Sequence, residues 1–289
     1  MRNILVTGSC GQLGSEIRRL SENNENNYIF TDYLAADGIE SLDICHQTAV
    51  EQIVKQRNVG TIINCAAYTD VEGAEDNPDA CYKINCEGVR CLAKAALETD
   101  ASLIQISTDF VFDGSKKSPY CEQDSPNPLS IYGKSKLASE QAMMEVGCKG
   151  VIIRTSWLYS PYGKNFVKTM LSLGASRKAI SVVNDQIGSP TYAADLAEAI
   201  IKMLPISGLK QCEIYHFSNE GSCSWNDFAS EIMHQAELTC IVNPVSSADY
   251  RQKAVRPSYS YMDKTKIATE FNVKLKRWQE SLAECLQRM

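Results

Sequence analysis

The chain of 289 residues carries 29 lysines and arginines against 35 aspartates and glutamates, a formal charge of −6, with 44% hydrophobic and 22% charged residues. This balance excludes a disordered chain and offers no basic excess for nucleic acid, and no apolar run reaches the ~18 residues that a membrane span needs. At roughly 100–200 residues per domain the length allows one large or two modest domains.

In chain order, Asn3-Ile4-Leu5-Val6-Thr7 reads as a buried strand, followed by Leu13, Ile17 and Leu20 at helical spacing. Tyr28–Asp32 is a second strand. Val50, Ile53 and Val54 mark a helix, and Thr61–Cys65 a further strand. Ile84, Val89, Leu92 and Ala96 form the inner side of another helix. Leu103–Ser107 is the next strand, and Val151–Thr155 follows a long helix from about Tyr132. Strands alternating with helices at this rhythm predict an α/β fold with a doubly wound parallel sheet of Rossmann type, whose ligands bind beyond the carboxyl ends of the strands.

After Thr155 the rhythm loosens, and Pro, Gly and Asn cluster at 158–165, 184–190 and 243–258. A helix carrying Leu196, Ile200 and Met203 and a strand Ile214–Phe217 still read as core. This predicts a dinucleotide-binding domain of residues 1–156 and 192–217, with 157–191 and 218–289 forming a smaller, irregular, substrate-binding lobe.

The first residues run straight into a strand without an apolar leader, so a cytoplasmic location is expected, and its twelve cysteines are expected to be reduced. No Cys-x-x-Cys pair occurs. Cys81, Cys86 and Cys91 lie five apart, a rotation of about 140° each on a regular α-helix, which predicts that they do not share a face. The three histidines, His46, His216 and His234, are widely spread, so no metal site is expected.

Gly8-Ser9-Cys10-Gly11-Gln12-Leu13-Gly14 lies between the first strand and the first helix. Gly8 permits a tight turn, Gly11 the close approach of a pyrophosphate, and Gly14 a close helix–strand contact, with the free N–H groups of the helix facing the phosphates. Asp32 ends the next strand, where a carboxylate accepts hydrogen bonds from an adenosine ribose. It also repels a 2′-phosphate, and neither Thr31 nor Tyr33 brings a cation, which favours NADH over NADPH.

Tyr132-Gly133-Lys134-Ser135-Lys136 sets a phenol and an ammonium four residues apart on one helix face. A phenol with a pKa near 10 exchanges protons poorly at neutral pH, and a nearby ammonium with a bound oxidised nicotinamide would lower it. Thr108, ending the preceding strand, offers a hydroxyl to position a carbonyl oxygen. Thr108, Tyr132 and Lys136 together make a reductase set, with Tyr132 and Lys136 also touching the cofactor.

These elements resemble the extended short-chain dehydrogenase/reductase superfamily. Asn64-Cys65-Ala66-Ala67-Tyr68-Thr69-Asp70-Val71, Ser107-Thr108-Asp109-Phe110-Val111-Phe112, Arg154-Thr155-Ser156-Trp157-Leu158-Tyr159, Asn165-Phe166-Val167 and Asn184-Asp185-Gln186-Ile187-Gly188-Ser189-Pro190-Thr191 resemble, more narrowly, the dTDP-4-dehydrorhamnose reductase family. That resemblance implies NADPH or NADH as cofactor and a dTDP-sugar as substrate. It implies pyrophosphate contacts at Gly11, Gln12 and Leu13, adenine contacts at Asp43 and Ile44, and a cofactor-lining segment of Ala66, Ala67 and Tyr68. It further implies sugar contacts at Thr69, Val71, Thr108, Asp109 and Trp157, with Arg256 serving the diphosphate or bracing its loop.

Two departures stand out. Some family members hold magnesium with glutamates at a dimer contact. Here Glu16 fits one such position, but Ala193-Ala194 and the C-terminal Leu286-Gln287-Arg288-Met289 do not, so a homodimer, if formed, is not expected to depend on a metal. Tyr68 also stands where the family often has a histidine. Two alternatives stay open: a nucleotide-sugar 4,6-dehydratase or epimerase on the same scaffold, and a non-catalytic subunit similar to the regulatory subunit of methionine adenosyltransferase. Against the dehydratase, Thr108-Asp109 is followed by Phe110 and not by glutamate; against the subunit, the full proton-relay trio is present.

Overall fold

A computed structural model of the chain describes residues 3–22, 25–204, 206 and 211–289. Six strands of its central sheet are β1 (Asn3–Thr7), β2 (Tyr28–Asp32), β3 (Glu40–Ser41), β4 (Val59–Asn64), β5 (Ser102–Thr108) and β6 (Gly150–Thr155), and the seventh is Cys212–Phe217. They lie in the order Cys212–Phe217, β6, β5, β4, β1, β2, β3, all parallel. The strand order reverses beside β1, which opens a crevice at the carboxyl ends of β1 and β4.

Both faces of the sheet are buried, as parallel sheets require. Side chains alternate along each strand. Ile4 and Val6 therefore join Ile17, Ile63, Ile153, Leu196, Ile200 and Phe217 on one face. Leu5 turns to the other, with Val50, Val54, Ile62, Val89, Leu92 and Met143.

A third cluster lies apart from the sheet and includes Tyr159, Met170, Tyr192, Phe228, Trp278 and Leu282. It is more regular than the sequence suggests. Helices Phe166–Ser176, Trp225–Gln235 and Trp278–Leu286 build it, and strands Ala179–Val183 and Ile241–Val245 pair in parallel. The signal for the second helix was local: Ser224 and Asp227 form a reciprocal capping box at its start.

Two of the three evenly spaced cysteines depart from the α-helical rotation, while Cys91, facing Cys45, turns to a different side as expected. Residues Lys83–Glu87 form a π-turn between helices Pro78–Tyr82 and Gly88–Glu98. The wider turn brings a five-residue spacing back to one side. Cys81 Sγ thus meets Ser135 Oγ at 3.1 Å, and Cys86 Sγ meets the Ala138 carbonyl at 3.6 Å, both on the helix Ile131–Val146. All twelve thiols are free.

Candidate active site

The loop after β1 is shaped by its glycines. Gly8 has φ +65°, and a Cβ there would sit 2.5 Å from the Ala66 nitrogen. At Gly14 a Cβ would overlap the Gly8 carbonyl oxygen and stand 2.6 Å from Ser9 Cα. Gly11 is the N-cap of helix Gln12–Ser21, whose first turn holds no acidic residue, so its free N–H groups face the crevice without competition from a carboxylate.

Thr7, Asn64 and Gln105 link the ends of β1, β4 and β5. Thr7 Oγ1 donates to Asn64 Oδ1 at 2.5 Å, Asn64 Nδ2 donates to Gln105 Oε1 at 2.7 Å, and Asn64 Oδ1 also accepts from the Ala66 N–H at 3.2 Å. Downstream, Asn85 in the π-turn accepts from the Tyr68 N–H at 2.8 Å and donates to the Tyr68 carbonyl at 3.1 Å and to Ser135 Oγ at 2.9 Å. Ser135 Oγ in turn donates to the Tyr132 carbonyl at 2.8 Å, which ties the 66–68 segment to the helix carrying Tyr132.

A cleft of about 790 Å³ runs along this edge. Gly8, Gly11, Gln12, Leu13 and Asp32 line one end, with Asp43 and Ile44 beside them. Ala66, Ala67 and Thr69 line its floor, and Thr108, Tyr132, Lys136 and Trp157 lie together in it. Gly14 packs against the Gly8–Ser9 backbone just after β1, and the backbone of Tyr68 is clamped by Asn85. Val71 opens helix Val71–Asp76, and Asp109 is buried beneath the lining. Neither borders the cleft. Arg256 is drawn elsewhere: its Nη2 lies 2.6 Å from Glu72 Oε1, and Nη1 donates to Gln252 Oε1 at 2.8 Å. It braces the loop. Lys164 is a cation that does reach the lining.

Helix Ile131–Val146 begins at Ser130, whose Oγ accepts from the Gly133 N–H, and ends at Gly147 in the left-handed conformation. It turns Lys136 inward, where Nζ donates to the Ile106 carbonyl at 2.5 Å. Burial pushes the Lys136 ammonium down to about 8, against the opposing pull of Glu140. The Tyr132 phenol is raised well above its ordinary value, chiefly by burial, while the Thr108 hydroxyl lowers it and Asp109 raises it. The lowering expected from Lys136 is not among the influences on the phenol in the protein alone: desolvation dominates, and the phenol is held protonated. Burial likewise pushes Asp109 up to about 7, opposed by hydrogen bonds to Ser260 and Thr108.

Trp157 has φ +48°, a conformation that bulky residues rarely adopt. Its ring stacks on Trp225 with centroids 3.6 Å apart and planes 11° from parallel, and Gly188 leaves room for it. Strain of this kind concentrates where a side chain must be aimed. Trp225, Asn85 and the buried pair Glu140–Arg154 escaped the sequence reading. The last had a signal: Arg154 interrupts an otherwise apolar strand, and a buried charge needs a partner.

Comparison with known proteins decides the family. The model of the RmlD substrate binding domain matches residues 1–289. A dTDP-4-dehydrorhamnose reductase of Aggregatibacter actinomycetemcomitans is 40% identical over 98% of this chain and 97% of its own length. The chain belongs to the dTDP-4-dehydrorhamnose reductase family. A spore coat polysaccharide biosynthesis protein of Bacillus subtilis is 38% identical over 99% of this chain and 98% of its own. The crystal structure of the reductase from Bacillus anthracis in complex with NADP superposes with a TM-score of 0.92 at 40% identity, covering 100% of both chains. The seven-stranded parallel sheet matches the fold of that reductase, and the family uses NAD(P)H.

Glu16 is fully buried in this chain, and its carboxylate is taken by Arg19 at 2.8 Å and by Arg288 at 2.8 and 3.1 Å. A guanidinium near the C-terminus thus engages the Glu16 carboxylate in this chain.

Proposed function

We propose that the chain reduces the C4 ketone of dTDP-4-dehydro-L-rhamnose to give dTDP-L-rhamnose, a donor for cell-envelope polysaccharide, using NADPH or NADH. The observation that carries this reading is the convergence of Thr108, Tyr132 and Lys136 in one cleft with the glycine loop and Asp32. The cleft suits a dinucleotide: the Gly8–Gly14 loop leaves backbone N–H groups free for a pyrophosphate, and Asp32 stands where a ribose would present its hydroxyls. When bound, the reduced nicotinamide supplies the hydride.

The chain's own groups do the rest. Thr108 directs the sugar ketone oxygen toward Tyr132, and the Tyr132 hydroxyl, kept protonated by burial, donates its proton to the developing alkoxide. Lys136 brings a positive charge beside the nicotinamide ribose and the phenolate that forms. Trp157, backed by Trp225, offers a flat wall for the deoxysugar, with Thr69 also in the lining and Asp109 beneath; Lys164 is placed for the diphosphate. The ring of Phe110 lies edge-on to Tyr132, 5.9 Å between centroids, where a dehydratase carries its extra glutamate. Elimination therefore lacks its base.

We assign residues 1–156 and 192–217 to the cofactor domain, and 157–191 and 218–289 to a lobe that closes over the sugar; the cleft takes lining from both. The same reading puts the reaction in the cytosol, on a free nucleotide sugar, without nucleic acid or membrane as partner. A homodimer would form without a metal on Glu16, whose oxygens are engaged by Arg19 and Arg288. The test is loss of nicotinamide absorbance with dTDP-4-dehydro-L-rhamnose. Tyr132→Phe is expected to lower kcat by about 10²–10⁴-fold while cofactor Kd changes little. Unchanged turnover in that variant would overturn the mechanism.

A further inference from the structure

Glu140 and Arg154 are 1% and 2% exposed, yet both are charged side chains. Arg154 Nε donates to Glu140 Oε1 at 2.9 Å and Nη2 to Oε2 at 2.7 Å, a bidentate pair, and Ser107 Oγ donates to Oε1 at 2.5 Å. The guanidinium lies over the Phe112 ring, and its Nη1 faces His216 Nε2 at 3.5 Å. Buried ion pairs rarely stabilise a fold more than apolar residues of the same size. The location of this one suggests another use. Ser107, Arg154 and His216 are register partners on three adjacent strands, and the next residues, Thr108 and Thr155, line the cleft. Glu140 stands one helical turn beyond Lys136.

We infer that the Glu140–Arg154 pair is a positioning element of the reductase, its carboxylate sustaining the charge on Lys136 and its guanidinium limiting how much of that carboxylate Lys136 feels. Of the other ionisable groups packed around the set, Cys81, Cys212 and His216 are neutral near pH 7, Asp109 titrates there, and Asp263, which faces His216, is held ionised by the Thr265 N–H and hydroxyl. Cys81, facing Lys136 from helix Pro78–Tyr82, is a thiol raised by burial. Cys212, facing Glu140, is pushed up to about 12, and His216 behind Arg154 is pushed down to about 3 by burial and by Arg154. Asp109 faces Tyr132, and burial holds it up to about 7. Glu140 is therefore the main charge acting on Lys136, whose Nζ is otherwise held by the Ile106 carbonyl, and Arg154 acts through its bidentate hold on that carboxylate.

This inference rests on the reductase reading, and its test separates the two. The pH dependence of kcat/KM is measured for the wild type, Glu140→Gln and Arg154→Met, together with the pH dependence of NADPH Kd read from tryptophan fluorescence. Removing the carboxylate lowers the Lys136 titration by roughly one unit, so the alkaline limb moves down, with about fivefold loss at pH 8 and little at pH 6. Removing the guanidinium leaves the carboxylate unshielded and moves the limb up. The double variant returns it toward the wild type. If Arg154→Met does not fold, Arg154→Lys keeps a point charge without the bidentate fork and gives a smaller upward shift.

A merely structural pair would lower thermal midpoints in both variants with neither limb moving; that result, or shifts in the same direction, overturns the inference. Split NADPH profiles without sugar turnover by the wild type would leave the inference standing and sink the reductase reading. Normal turnover with coincident profiles would do the reverse.

Discussion

Along the cofactor wall of the cleft the surface is made by backbone: Gly8, Gly11 and Gly14 strip away side chains so that amide groups and a helix N-terminus are exposed, and Asp32 is fixed by the Cys10 and Tyr33 N–H groups at 2.8 and 2.7 Å. Along the sugar wall the surface is made by side chains from distant segments. Trp157 leans on Trp225, 68 positions away, and Asp109 is braced by Ser260, 151 positions away. The first wall depends on the absence of atoms and is intolerant of any addition. The second depends on packing between elements and responds in graded fashion to loss.

Adding one methyl group to the backbone wall is therefore expected to have the largest effect. In Gly14→Ala the new Cβ meets the Gly8 carbonyl oxygen and Ser9 Cα, which are backbone atoms and have no rotamer to yield. A cost of at least about 3 kcal/mol is expected. Loss of the cofactor-induced rise in Tm would accompany it, and a Tm within two or three degrees of wild type, with NADPH still bound (scale of about 4 °C per kcal/mol or less for a chain this size), would show that the loop can relax.

The buried carboxyl of Asp109 is next. Its folded value is raised to about 7, so the folded state holds a proton that the unfolded chain has released. The stability this proton contributes is present at acid pH, below the ordinary carboxylate range, and is lost as pH rises through about 7. Asp109→Asn mimics the neutral acid and has no such titration. Relative to it, the wild type is expected to lose on the order of 3 kcal/mol between pH 4 and pH 8, read by urea unfolding at both values. Parallel curves for the two proteins would remove the argument that Asp109 is protonated at its site.

Trp157→Ala probes the side-chain wall directly. It leaves the glycine loop untouched and removes half of a stacked pair whose ring borders the cleft. A rise of about tenfold in KM for the sugar, near 1.4 kcal/mol, is expected from the lost ring face, with cofactor Kd changed by less than about twofold. Equal effects on sugar and cofactor would mean that the two walls are not independent.

The same division explains what was legible in the sequence. Gly8, Gly11, Gly14 and Asp32 lie within two adjoining elements, and β-branched runs such as Ile4–Val6 and Ile62-Ile63 announce strands buried on both faces, so the sheet and the cofactor wall could be read from local pattern. Tyr132 and Lys136 were legible because one helix sets their spacing. Trp225 and Asn85 were not, because each acts through a contact that only the folded chain creates. The spacing of Cys81 and Cys86 misled for a subtler reason: a π-turn at Lys83–Glu87 changes the phase of the helix between them, and nothing in residue type marks it. Arg256 illustrates the remaining ambiguity, since a cation near a diphosphate site and a cation pairing with Glu72 look the same until the loop is placed.

The smallest expected effect concerns which nicotinamide cofactor the backbone wall admits. Asp32 is held by two backbone amides, so its carboxylate cannot swing away from a 2′-phosphate, and it should favour NADH. A cation stands nearby: Arg18 lies on the same side, over the Phe30 ring and donating to the Asp37 carbonyl at 3.3 Å, and its charge is felt at Cys10 beside Asp32. Repulsion from one group and attraction from the other leave a narrow preference. Asp32→Asn is expected to raise the ratio of NADPH to NADH kcat/KM by about fivefold, roughly 1 kcal/mol, and Arg18→Ala to lower it by a smaller factor, because the guanidinium is partly solvated and its charge is screened. Opposite shifts in the two variants would locate the cofactor choice in this pair of charges. If neither ratio moved, the choice would lie with the backbone alone, and the glycine loop would be setting both the fit of the pyrophosphate and the selection of the nucleotide.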